Sequence, residues 1–99
     1  MAQDVQDALL EAAGVLAVIG PTLGRPTVDT LKGSRYANMK EMRFDAAHGI
    51  WRVAFTFDTR RQAILLVAGD KGGLSRKMQV KFYRDLIATA DARFARWEG

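Results

Sequence analysis

The 99-residue sequence contains no cysteine. Disulfides and thiolate metal sites are therefore excluded, and the composition suits a reducing compartment, so a cytoplasmic location is expected. There is one histidine, His48, which is too few for a histidine zinc site and leaves a Ser-His-Asp triad improbable in a turn residue. No metal site and no cofactor are expected. No internal repeat or low-complexity tract is present, and the GxxxxGK[ST] spacing of a P-loop is missing. A solid apolar run is also lacking. The opening MAQDVQDALLEAAGVLAVIG carries acids near its front and an apolar stripe, so it reads as neither a signal peptide nor a membrane span.

What is there fits one soluble-type domain spanning 1–99, with 48% hydrophobic and 26% charged residues. The net charge is +4, unevenly spread. Asp4, Asp7 and Glu11 make the first twenty residues acidic. From Arg52 to Arg84 there are eight basic residues (Arg52, Arg60, Arg61, Lys71, Arg76, Lys77, Lys81, Arg84) against Asp58 and Asp70. A basic second half points to a polyanion or an acidic protein partner, or else to a solvated surface.

Val5, Leu9, Ala12, Ala13, Leu16 and Ile19 recur at helical spacing, so a helix is expected over Asp4–Ile19, ended by Gly20-Pro21. Residues 22–38 form a long connection. In it Lys32, Arg35 and Tyr36 interleave positive charge with an aromatic ring, a pattern that suits a nucleic-acid strand or simply a solvated loop. Three strands follow, over 39–45, 50–57 and 62–68, and a glycine-containing loop at 69–73 leads to a final helix over 77–97. Val80, Tyr83, Leu86, Ile87, Ala90, Phe94 and Trp97 would form the apolar side of that helix. Arg76, Lys77 and Lys81 crowd its first turns, the end where the helix dipole disfavours cations, which hints at a bound anion. The fold class expected is α+β: an antiparallel meander of three or more strands packed with an N-terminal and a C-terminal helix.

The meander Lys40–Asp70 is where function becomes readable. With two- or four-residue turns, paired positions sum to 95 in the first hairpin and 119 in the second. Phe44 then faces Trp51 and Met42 faces Val53 on an oily face, while Phe55 meets Ile64 and Val53 meets Leu66. The opposite face sets Arg43 against Arg52 and Glu41 against Ala54, with Leu65 and Val67 alongside. Like charges placed opposite one another cost stability, so a scaffold has no reason for the Arg43–Arg52 pair unless an anion is bound there. Arg43 and Arg52 suit phosphate oxygens, Lys71 can reach them from the glycine loop, and Glu41 is the nearest carboxylate, either a proton acceptor or a salt-bridge partner of Arg43 or Lys40. Tyr36 and Tyr83 are candidates for base stacking or hydroxyl donation. Trp51 and Phe55 are assigned to the core, and His48 to a surface turn.

Taken together, GPTLGRPTVDTLKGSRYANMKEMRF, GIWRVAF, RQAILLVAGDK and KFYRDLI resemble the RelE/ParE superfamily of type II toxins, most of all its phage-derived, HigB-like branch. The resemblance covers the chain from about Ala12 onward. It implies a RelE-like fold and an endoribonuclease that cleaves mRNA, on the ribosome in some members, through attack by the RNA 2′-hydroxyl without a metal. It also implies a neutralising antitoxin, expected to be of helix-turn-helix type. The ParE branch instead poisons DNA gyrase, and an inactive RNA- or antitoxin-binding domain is a further alternative. Carried onto this chain, the site residues are Arg52, Lys71, Arg43 and Lys40, with Tyr83 as the aromatic of the last helix. The family pattern begins one strand and one helix earlier, on the order of 20 residues, and a missing strand would leave a sheet edge open to a second copy of the chain.

Overall fold

A computed structural model describes residues 2–98. The elements in order are α1 (Gln3–Ile19), a 3-10 turn (Gly20–Thr22), β1 (Val28–Thr30), β2 (Lys40–Ala46), β3 (Gly49–Phe57), β4 (Ala63–Asp70) and α2 (Arg76–Glu98). The four strands form one antiparallel sheet in the order β1-β2-β3-β4. This is the α+β, RelE-like layout expected from the sequence.

α1 ends where Gly20 takes φ 74° and donates its N–H to the Leu16 carbonyl. Its stripe covers one sheet face: Leu16, Val28, Met42, Val53 and Phe55 are buried together, with Leu9, Ala12 and Phe44 packed against them. Ile19, expected in the stripe, is exposed. By length and composition Gln3–Thr22 is apolar enough to cross a membrane; Leu9, Ala12 and Leu16 lie on the sheet, while Leu10, Val15 and Val18 are exposed. α2 covers the other face, where Leu31, Met39, Ala54, Leu66, Leu86 and Ala90 form a second core. Both sheet faces are therefore oily over part of their area, where a single oily face was expected.

The first hairpin has the expected register, with Phe44 opposite Trp51, Met42 opposite Val53 and Arg43 opposite Arg52. Its two-residue turn, Ala47-His48, holds both residues at positive φ, 50° and 63°, as a primed hairpin turn demands. Trp51 is half-buried and stacks on Phe44 at 6.0 Å instead of entering the core.

The second hairpin departs from the expectation. Phe55 faces Leu65 and Val53 faces Ala68, not Ile64 and Leu66. Two causes combine. The turn is one residue longer, running from Asp58 to Gln62. A bulge then leaves Leu66 as the extra residue of β4, between Leu65 opposite Phe55 and Val67 opposite Ala54. The Leu66 carbonyl accepts a hydrogen bond from Arg93 Nη1 of α2 at 2.7 Å. Val67 lies on the α2 face as expected, whereas Leu65 is turned to the other side and is exposed.

The long connection, in which no strand was placed, holds β1. Asp91 of α2, itself buried, anchors the segment between β1 and β2: it accepts hydrogen bonds from the Ser34 hydroxyl and from the Arg35 backbone N–H, the latter at 3.0 Å. On α2, Val80 and Trp97 point to solvent, and Phe82 packs instead. A Cβ at Gly69 would stand 2.7 Å from the Phe82 ring, so the missing side chain is what lets α2 settle on β4. Among the described residues β4 has no strand on its outer side.

A cationic cluster on the sheet face beneath the second helix

Glu41, Arg43, Arg52, Lys71 and Tyr83 gather at one end of the α2-covered face. Alternation along β2 and β3 puts Glu41, Arg43 and Arg52 on that face. The loop after β4 brings Lys71: its N–H bonds the Ile50 carbonyl at 2.8 Å, and the Asp70 carboxylate accepts from the N–H groups of Ile50 and Gly72 at 2.9 and 2.8 Å. α2 brings Tyr83, and Lys71 Nζ lies 5.3 Å from the centre of its ring.

Glu41 is only 5% exposed and Arg52 only 9%. Glu41 Oε1 accepts from Arg43 Nη2 at 3.1 Å, and Asp29 of β1 approaches the same guanidinium at 3.6 Å. The salt bridge offered as one reading of Glu41 thus exists, but it uses one carboxylate oxygen. Arg52 Nη1 donates to the Trp51 carbonyl at 2.9 Å. Glu41 Oε2 and Arg52 Nε are buried with no hydrogen-bond partner among the described residues. Each such group costs about 1–3 kcal/mol. The Tyr83 hydroxyl interacts with both side chains, and a ligand that supplied a donor and an acceptor there would satisfy the two atoms.

The electrostatics agree. Burial pulls the Lys71 ammonium below the ordinary lysine value; Arg52 and, less strongly, Arg43 push the same way, while Glu41 opposes them. Burial pushes the Tyr83 phenol up, and the Glu41 carboxylate adds to it by charge and by hydrogen bonding, with the Arg52 guanidinium opposing in both ways. The cluster therefore holds three cations and one carboxylate beside a phenol that keeps its proton, a set able to bind a phosphodiester, take up a proton and return one.

The remaining sequence candidates are not brought to this cluster. Lys40 falls on the α1 face, opposite Phe55, because it is one residue out of phase with Glu41. Lys32 is exposed in the connection. Arg76, Lys77 and Lys81 are exposed on the first turns of α2, and Lys81 pairs with Asp85 at 2.6 Å. Arg35 and Tyr36 line a separate cavity at the opposite end of the sheet. His48 is exposed in its turn. Sequence reasoning missed three supports: Asp29, which lies in an unrecognised strand; Asp70, whose Asp-x-Gly pattern before a glycine loop was a usable turn signal; and Phe82, which local spacing could not separate from its neighbours.

The family described as "Phage derived protein Gp49-like (DUF891)" matches residues 1–95. The chain is 42% identical over 95 residues to a Mycobacterium tuberculosis protein named "Putative toxin HigB3", covering 96% of this chain and 78% of that protein. It is 40% identical over 94 residues to a second protein of that organism, "Putative toxin HigB2", covering 94% of this chain and 45% of that one. No solved structure matches. The phage-derived, HigB-like resemblance drawn from the sequence agrees with these matches.

Proposed function

The chain belongs to the phage-derived Gp49-like family, and from that premise we propose that it is the toxin of a toxin–antitoxin pair, an endoribonuclease that cuts mRNA at the Glu41/Arg43/Arg52/Lys71/Tyr83 cluster. The observation that carries the reading is the pair of buried, partnerless atoms, Glu41 Oε2 and Arg52 Nε, on one face. The toxin names of the relatives support it.

In this reading Arg52, Arg43 and Lys71 hold the phosphate and stabilise the charge that grows on its oxygens. Glu41 Oε2 accepts the proton of the 2′-hydroxyl as that oxygen attacks the adjacent phosphorus. The bond from phosphorus to the 5′-oxygen breaks, and the Tyr83 phenol gives its proton to the leaving oxygen. The products are a 2′,3′-cyclic phosphate and a 5′-hydroxyl end. The residues of the chain supply every role, with no metal or cofactor in the scheme. The protein works in the cytoplasm, on free or ribosome-bound mRNA, and is neutralised by a helix-turn-helix antitoxin encoded beside it.

Expression of Arg52→Ala without antitoxin tests this. Growth should recover, and the new RNA 5′ ends produced by the wild type should vanish, in line with the roughly 10²–10³-fold losses that follow removal of one transition-state donor. An equally toxic Arg52→Ala that still cuts RNA overturns the assignment. DNA damage without RNA loss from the wild type identifies a gyrase poison instead, and salt-dependent RNA binding without new ends identifies a binding domain.

A further inference from the structure

At the far end of the α2-covered face, away from the cluster, a cavity of about 680 Å³ opens, within the size range of ligand pockets. It belongs to none of the roles above. Three rings form its wall in sequence. Tyr36 meets Phe94 edge-on at 4.8 Å, and Phe94 stacks on Trp97 at 5.9 Å with 14° between planes. The series ends in the open: Trp97 is 56% exposed. Arg35 lies 5.9 Å from the Tyr36 ring centre, and Arg60 stands across the cavity. Asn38 and Gln62, residues with side-chain amides, line the same space.

Two acids line it as well: Asp58, whose Oδ1 accepts from the N–H groups of Arg60 and Gln62, both at 2.8 Å, and so shapes the turn, and Glu98, exposed at the end of α2. The two guanidiniums are exposed. An open indole face, amides with donors and acceptors, and guanidiniums at the rim are the three contacts a nucleotide of a single strand requires: stacking, base-edge hydrogen bonds and phosphate neutralisation.

We propose that this cavity is a base-binding subsite for single-stranded RNA, in which a nucleobase stacks on Trp97 while Arg35 and Arg60 hold the flanking phosphates. The inference rests on the RNA-cutting reading for its substrate. Arg52 and Thr56 stand four residues apart on β3, so the two sites lie about 13 Å apart along the strand. A few nucleotides of one strand span that distance. The enzyme would then select its cut by a base some nucleotides away from the scissile phosphate.

The test uses the intact protein and a short RNA 2′-O-methylated throughout, which cannot be cut. Binding should quench tryptophan fluorescence, and Trp97→Phe should remove most of the quench while keeping most of the affinity. Trp97→Ala should weaken binding about tenfold, within the usual range for a base stacked on an aromatic ring. Arg60→Gln should weaken binding severalfold. Arg61→Gln, next in sequence but facing a different cavity beside Ala13 and Ala17, should not. Unchanged affinity in Trp97→Ala, or a quench as large in Trp97→Phe as in the wild type, overturns the subsite. So does a protein segment that occupies the groove without displacing RNA. The two readings fail separately: a wild type that binds and quenches but leaves no new RNA ends refutes cleavage and keeps the subsite, whereas loss of cutting in Arg52→Ala with normal RNA affinity in Trp97→Ala does the reverse.

Discussion

The two ends of the sheet face under α2 are built on opposite terms. At the Arg52 end, buried polar atoms are left unmatched and like charges are forced together. At the Trp97 end, the polar groups are satisfied or solvated, and an apolar ring is left open instead. The turns do not follow that contrast. Ala47 and His48 take left-handed backbone without glycine, and so does Arg61 in the second turn, where Asp58 adds two side-chain bonds. Unmatched charge is costly, and it persists where chemistry needs it. An open ring is cheap and serves binding. The two proposals therefore put reaction and recognition at different ends of one face.

Substitutions can break that contrast. The largest effect is expected from Glu41→Gln, which keeps size and hydrogen bonding but removes the proton acceptor. RNA cutting should fall about 10²–10⁴-fold, while affinity for the uncleavable RNA is kept or raised as a negative charge leaves the cluster. Equal loss of both would demote Glu41 to a structural salt bridge. Next is Gly69→Ala. The new methyl meets Phe82 at 2.7 Å, so stability should drop by about 1–3 kcal/mol in a urea titration. Cutting should fall with it as Tyr83 is displaced, and RNA binding at the Trp97 end should persist. The turn comes third. Left-handed backbone costs a non-glycine residue roughly 1–2 kcal/mol, so Ala47→Asn with His48→Gly should raise the melting temperature without altering cleavage. A loss of cleavage there would give His48 a role that its position does not suggest.

The smallest effect concerns pH. Lys71 is pulled below the ordinary lysine value of 10.5, so it loses its charge first among the cations as pH rises from neutral. Tyr83 moves the other way, so its phenol keeps its proton to higher pH than an ordinary tyrosine. Affinity for the uncleavable RNA should therefore decline severalfold with rising pH below 10.5, and Lys71→Arg, whose guanidinium stays charged, should flatten the profile. An identical slope in Lys71→Arg would remove Lys71 from the phosphate site.

Much of this was legible before folding, because the relevant rules are local. Alternation assigned Glu41, Arg43 and Arg52 to one face, and the Ala47-His48 turn length set their register. The helix at the start and its Gly20 stop follow from spacing and backbone freedom. The rest was set by contacts far apart in sequence. No local pattern announces β1, whose three residues are strand only because β2 pairs with them. The second register depended on a longer turn and on a bulge that Arg93 meets from α2. Helical spacing gave α2 an apolar side but not its contact line; the gap at Gly69 put Phe82 inward and left Val80 and Trp97 outside.

The sequence by itself therefore determined which residues of β2 and β3 share a face, since an unbroken strand has period two; in β4 the bulge at Leu66 interrupts that period. Only the tertiary structure decided that Lys71 and Tyr83 join Arg52, and that Arg35 and Tyr36 join Trp97. Those meetings depend on where one long helix docks across the sheet, and docking is settled by the fit of side chains distant in the chain.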